Sequence, residues 1–351
     1  MLNNYKKIKL LHICDNHQRH NGRLFYSTGR KLQNGFILNH INCLNLSDRD
    51  VPKFTYSILD YNGRLYLLDR IKNMIKNFLP DIILIGHVDK LFYLDFVKLK
   101  NDHPNIIFVQ WFLDSLNKDG PDFEKNKNRF LNRYQICDYN FITTSPDKLN
   151  FVDENKTFFI PNPIDPSIDC FKSFESSNFE YDLFIAISHG QHRGILKSNY
   201  NDQREKIINS ITNKISINGF GYNGNNPIWG MDFFKELMKC KIGLNISRGN
   251  PIKYYSSDRI SSLLGNGLLT FVDEKYRFED FFNKDEIIFY SNLDDLNDKL
   301  IFYSKNDKVR IEIARKGHLK SHEIFNNKLI TDYMIRKILN IKISKDIKWM
   351  N

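Results

Sequence analysis

The sequence has no apolar run near the ~20 residues needed to cross a bilayer. Its longest candidates, residues 82–85 and 106–113, are strand-sized. It has no Cys-x-x-Cys pair, and its five cysteines (14, 43, 137, 170 and 240) are scattered and odd in number. That argues against a disulfide framework and a zinc ribbon, and for reduced thiols in a cytoplasmic setting. The opening residues run straight into a short apolar segment at 8–14, without a signal-peptide core or a small-residue cleavage site, so a cytoplasmic protein is expected. There is no block of five basic residues, which excludes a dedicated nucleic-acid arm, and neither a 20–50-residue repeat nor a low-complexity tract is present.

What is there is a soluble, globular balance: 351 residues, 41% hydrophobic and 26% charged. That length fits one large domain or two ordinary ones. The formal charge of +10 is unevenly spread. Residues 1–163 hold 23 Lys and Arg against 17 Asp and Glu, residues 164–327 hold 22 of each, and residues 328–351 hold 6 against 2. The front and the tail therefore carry the whole excess, which would attract an anionic partner.

Hydrophobic patterning alternates between short apolar runs and stretches of helical period. Residues 7–14, 36–44, 82–86, 106–113, 139–144 and 158–161 read as strands. Helices are expected at 24–32, stopped near Gly35, and at 64–79, 91–99 and 123–134. Three prolines in the six residues from Pro161 to Pro166 break the series. A second series follows, with strands at 181–187, 215–219, 241–246 and 268–272. Its helices are expected at 202–212, 231–239, 258–264, 279–282, 294–303, 308–322 and 329–339. The expected class is α/β, with two doubly wound parallel sheets, Rossmann-like, facing a cleft. The expected domains are 1–163 joined by the tail 327–351, and 164–326. Ligands would lie at the carboxyl ends of the strands.

Four loops there carry chemistry. In 188–198, Gly190 admits close backbone approach, and Arg193 and Lys197 supply cations for a diphosphate. His189 and His192 have metal-like spacing but no further Cys or His nearby. In 247–258, Arg248, Lys253, Ser256, Ser257 and Asp258 meet at a strand-to-helix junction, with Ser257 or Asp258 as N-cap and Arg259 next, a combination suited to an anion. In 219–230, four glycines and three asparagines flank Tyr222 and Trp229, which suit a nucleobase. In the first half His87 and Asp89 follow one buried strand and Asp114 another, while His12, Asp15, His17 and His20 surround the end of the first; one of these would be a general base. Asp48-Arg49-Asp50 has the form of a metal-binding Asp-x-Asp triplet, but its place before Pro52 argues against that use.

Residues 241–271, KIGLNISRGNPIKYYSSDRISSLLGNGLLTF, resemble the C-terminal domain of GT-B glycosyltransferases, nearest the spore-maturation-protein-like group and the group 1 glycosyl transferases. The segment Phe281-Phe282-Asn283-Lys284-Asp285-Glu286, residues 290–300 and Pro161-Asn162-Pro163-Ile164-Asp165 match as well, so the resemblance spans about 155–340. It implies a GT-B fold whose last helix returns to the N-terminal domain, with Arg193 and Lys197 neutralising a donor diphosphate, Arg193 in a catalytic role. One departure is plain. Where the family often carries a ribose-binding Glu, five residues before Gly267, this chain has Ser262, and Asp258 is the nearest alternative.

The implied activity is transfer of a sugar from a nucleotide-diphosphate sugar, expected to be a UDP-sugar, to a glycan, lipid-linked or other anionic acceptor, without metal or resident cofactor. His87 and Asp114 are the catalytic candidates on the acceptor side. The expected partners are the nucleotide sugar, the acceptor and, through the basic N-terminal part and tail, a membrane surface, rather than nucleic acid. A phage-type DNA glucosyltransferase and a non-catalytic nucleotide-sugar or glycan-binding module are the alternatives.

Overall fold

A computed structural model of the chain describes residues 7–55, 58, 60–188, 194–196, 203–343 and 347–350. The chain divides into two compact units. The first comprises Met1–Leu116, Asp122–Pro163 and Asn327–Asn351, and the second Asn117–Pro121 and Ile164–Asn326.

The first unit is built on six parallel strands: β1 (Lys9–Ile13), β2 (Asn42–Leu46), β3 (Ile82–Ile85), β4 (Ile107–Phe112), β5 (Tyr139–Ile142) and β6 (Thr157–Phe159). Their order is β2-β1-β3-β4-β5-β6. The central strands are apolar on both faces because helices cover both faces of a parallel sheet, and all four residues of β3 are buried. Helix α3 (Arg64–Phe78) shows the matching logic: only Leu67, Ile71 and Ile75, spaced by one turn, are buried, and they join Leu11, Ile13, Ile83 and Ile85 in one core. The other helices are α1 (Thr28–Leu38), α2 (Asp50–Phe54), α4 (Tyr93–Asp102) and α5 (Phe123–Tyr134).

The second unit holds five parallel strands, β7 (Tyr181–Ala186), β8 (Ile217–Phe220), β9 (Cys240–Asn245), β10 (Leu269–Asp273) and β11 (Ile288–Tyr290), in the order β11-β10-β9-β7-β8. Its helices are α6 (Gln203–Asn209), α7 (Gly230–Met238), α8 (Arg259–Gly265), α9 (Leu293–Lys305) and α10 (Asp307–Ile324). Leu183, Ile185, Ile242, Leu244, Leu269 and Phe271 fill the core beneath them.

The last helix, α11 (Asn327–Ile338), packs on α1 within the first unit. Asn39 donates to the Lys328 carbonyl at 2.7 Å and to Thr331 Oγ1 at 2.9 Å, and Asn327 donates to the Lys31 carbonyl at 3.0 Å. Here the sequence misleads. Gly35 does not stop α1, which runs on to Leu38, so the strand expected from residue 36 begins only at Asn42. A Cβ at Gly35 would sit 2.4 Å from the Asn327 carbonyl oxygen, so this glycine marks where two helices touch. Residues 279–282 form no α-helix, only a 3₁₀ turn at Phe278–Asp280, and the short edge strand β11 was not foreseen. Among the described residues, no helix is long and apolar enough to cross a membrane.

Candidate functional site

In each sheet the chain reverses its direction of winding beside one strand: between β1 and β3 in the first, and between β7 and β9 in the second. The loops leaving those strands splay apart at such a point and leave a crevice outside the carboxyl ends.

In the second unit that crevice is lined by arginine and hydroxyl groups. Arg259, at the start of α8, donates from Nε to the Ala186 carbonyl at the end of β7 (2.8 Å), and from Nη1 to Ser257 Oγ (3.1 Å) and to the Ile246 carbonyl beyond β9. It therefore straddles the switch point. Burial, then the positive charge of Arg204, pushes its pKa down to about 10, while the exposed Asp258 opposes. Arg204, only 5% exposed on α6, donates from Nη1 to the Ser188 carbonyl at 3.2 Å. Two guanidinium groups thus lie at one strand end, a donor set suited to an anion.

The residues expected around this crevice fare unequally. Ser257 lies in it, its amide donating to Ser247 Oγ at 3.2 Å. Ser256 is buried, its hydroxyl spent on Asn245 Oδ1 (3.1 Å) and the Ser257 carbonyl (2.9 Å), so it forms the floor and does not reach a ligand. Asp258 occupies the N-cap of α8 without capping it through its side chain, and α8 has only seven residues, so cationic side chains and not a helix end supply the positive field. Arg248 and Lys253 are half-buried, with Lys253 Nζ 4.7 Å from the Tyr254 ring. Ser262 is buried within α8 and unavailable to a ribose. Tyr222 is a correction: its ring belongs to the core beside Leu196 and Ile208, pressed against Gly219, and burial pushes its hydroxyl up to about 12. Trp229 is half-buried at the N-cap of α7. Gly190, Arg193 and Lys197, with His189 and His192, lie outside the described residues.

The crevice of the first unit is lined instead by ion pairs. Arg19 forks onto Asp15 (2.5 and 2.8 Å) and reaches Asp50 (2.9 Å). Although burial pushes the Asp15 carboxyl up, Arg19 and His17 hold it well below the usual carboxylate range. Arg129, on α5, bridges Asp89 (2.9 Å) and Asp114 (2.7 Å), and Arg49 also pairs with Asp89. Asp114 stays 38% exposed. His87 stacks on Trp111 at 5.4 Å between ring centroids. Its Nε2 is buried without a hydrogen-bond partner, 3.9 Å from Asp114 Oδ2. Burial, opposed by Asp114 and reinforced by Arg129 and Arg133, lowers its pKa to about 4, so the ring is neutral at pH 7. His87 therefore faces Asp114, which is the more exposed of the two.

The remaining candidates are structural. His12 is fully buried, accepts the Trp111 indole N–H at 2.9 Å and is held by burial at about 3. The Asp-x-Asp triplet is turned inward: Asp48 accepts the Asp89 amide at 2.9 Å, while Asp50 accepts the Gln18 and Arg19 amides at 2.9 and 3.0 Å. Arg204, Arg129 and the bridging role of Arg259 are what sequence reasoning missed. Arg259 stood in the quoted junction, but charges on amphipathic helices such as α5 and α6 read as solvated faces.

Comparison with known proteins bears on this geometry. A family model described as glycosyl transferase-like matches residues 200–334. No curated protein matches. Among solved structures, an alpha-glucosyltransferase in complex with UDP-glucose and DNA containing an abasic site superposes with a TM-score of 0.61 at 11% identity, covering 94% of this chain and 99% of that one. The chain has the GT-B fold. Anabaena HepE in complex with UDP gives a TM-score of 0.56 at 10% identity over 95% and 100% of the two chains. TarM gives 0.54 at 14% identity over 77% and 58%. In this GT-B chain, the family match covers residues 200–326 of the unit that carries Arg204 and Arg259 and runs on into the returning helix α11.

Proposed function

We propose that this protein is a glycosyltransferase that takes its sugar from a nucleoside diphosphate, UDP being the favoured carrier. The observation that carries the reading is the pair of arginines, the buried Arg204 and the half-buried Arg259, at the switch point of the second sheet. Such a pair suits the charge that builds on a departing diphosphate. Support comes from the UDP and UDP-glucose bound in the HepE and alpha-glucosyltransferase structures. Ser257, Arg248 and Lys253 complete the donor site in this reading, and Arg193 and Lys197 join it on the family resemblance alone.

Arginine charge takes the part a divalent ion would otherwise play, and no resident cofactor is required. Asp258 is the carboxylate available to the ribose, and Trp229 the aromatic ring available to the base. The acceptor belongs to the first unit. Its hydroxyl would meet the open carboxylate of Asp114, which Arg129 orients and His87 backs from the protein side. The acceptor is a glycan or a lipid-linked sugar handled in the cytoplasm at a membrane surface.

A thermal-shift screen tests the donor assignment. UDP or a UDP-sugar is expected to raise the melting temperature by several degrees at ~100 times its Kd, and Arg259→Ala to abolish the rise. No shift with any nucleoside diphosphate would remove the donor site. Donor binding without transfer to any offered glycan, lipid-linked sugar or duplex DNA would leave a binding module.

A further inference from the structure

Around the end of α2 and the starts of α3 and α4, the first unit exposes several large apolar side chains. Pro52 of α2 packs against Gly63: a Cβ there would fall 2.4 Å from the proline's Cβ. That contact brings the end of α2 beside the start of α3. Arg64 then forks onto Asp95 (2.8 and 2.5 Å) and lies 4.6 Å from the centre of the Phe92 ring, which brings the start of α4 alongside. That brings the helix ends carrying Phe54, Leu65, Phe92 and Leu94 alongside one another, with Ile58 and Tyr61 in the chain between α2 and α3, and each of the six is between 57 and 89% exposed. Single exposed leucines are ordinary, but six large apolar residues on adjoining turns are not.

The surroundings are basic. Residues 53–76 carry five Lys and Arg against two Asp, and residues 89–98 two Lys against two Asp. Asp60 is engaged by the Tyr66 amide at 2.8 Å and Asp95 by Arg64, while Lys53 beside Phe54 is exposed. Aromatic and aliphatic tips among cations suit the headgroup layer of an anionic bilayer, where rings sink to the acyl boundary and cations meet phosphates. The lip also adjoins the first unit's crevice. Arg49, the N-cap of α2, pairs with Asp89, three residues before Phe92.

We propose that the lip formed by Phe54, Ile58, Tyr61, Leu65, Phe92 and Leu94 docks the first unit on an anionic lipid surface and so presents Asp114 to a sugar carried by a membrane lipid. The lipid contact stands without the donor assignment; only the naming of the acceptor rests on the glycosyltransferase reading. Flotation with vesicles of phosphatidylcholine containing about one-third phosphatidylglycerol tests it, without nucleotide. The full chain should float with them, hardly at all with pure phosphatidylcholine, and about tenfold less as salt rises from ~0.1 to ~0.5 M. The triple variant Phe54→Ser, Leu65→Ser, Leu94→Ser should stay in the lower fractions while its melting temperature and its UDP shift match the parent's. Absence of vesicle binding by the parent would overturn the proposal, as would undiminished binding by the variant. Self-association that the variant abolishes, without vesicle binding, would also overturn it and assign the lip to a second copy. Flotation that persists in a protein blind to every nucleoside diphosphate would instead sink the donor reading and leave the lip standing.

Discussion

At the carboxyl edge of the first sheet, Arg19, Arg49 and Arg129 end on carboxylates and only the buried Arg133 among the arginines described there ends on a carbonyl, that of Val88; at that of the second, Arg259 ends on two carbonyls and a hydroxyl. Both edges belong to parallel sheets of similar winding, so the fold does not impose the difference. An edge that neutralises its own charge holds carboxylates in fixed positions, ready to orient a neutral hydroxyl. An edge that gathers guanidinium groups offers a set of donors suited to an anionic ligand.

The sharpest way to break the comparison is to remove charge from the second edge. Arg259→Ala should lower kcat/KM by about 10²–10³-fold, with Arg259→Lys in between, because a lysine keeps the charge but cannot bridge both strand ends. Steady-state kinetics with the donor identified by thermal shift would measure it, and an equal loss from Arg129→Ala would erase the contrast. Removing a carboxylate from the first edge should act differently. Asp114→Asn should lower kcat by about 10²-fold with the UDP-induced shift unchanged, and His87→Gln by less, since His87 meets the acceptor only through Asp114.

Acid should act mainly on the first unit. His12 and His87, held at about 3 and 4, stay neutral in the folded protein where the unfolded chain binds protons below about 6.5. The unfolded state therefore takes up more protons in that window, and stability falls as pH drops from 6.5 toward 4. Each histidine should cost about 2 kcal/mol between pH 7 and 5, read by denaturant melts, and His12→Gln, which can still accept from Trp111, should flatten the slope. Among the described residues of the second unit, His318 is such a group, held at about 4 by burial and by His322. A further effect has the opposite sign. Burial raises Asp48 to about 7, though the Asp89 amide and Arg49 oppose it. The folded state then favours the proton between the unfolded value near 4 and about 7, and stability is lost as pH rises across that range. Asp48→Asn should gain about 4 kcal/mol at most at pH 8 and nothing at pH 4, and a loss at pH 8 would show the carboxylate to be ionised and paired.

The strands were legible because a strand buried on both faces must be apolar throughout, as residues 82–85 are. Helix α3 was legible because its buried stripe repeats each turn. Gly35 was misread because a glycine that ends a helix and one that lets two helices touch look alike until α11, nearly 300 residues on, is in place. Tyr222 was misread because an aromatic ring in a glycine-rich loop reads as a ligand platform until its neighbours Leu196 and Ile208 are known.

The sequence by itself determined the alternation of strand and helix, the proline break near residue 163 and the basic bias of the two ends, all of which follow from local period and composition. Only the tertiary structure decided which charges are spent and which remain. Arg129 meets carboxylates 15 and 40 residues away, and Arg259 meets a carbonyl 73 residues away. Such partners are set by strand order, and the worth of a charge depends on the groups and the solvent around it, which no run of neighbouring residues contains.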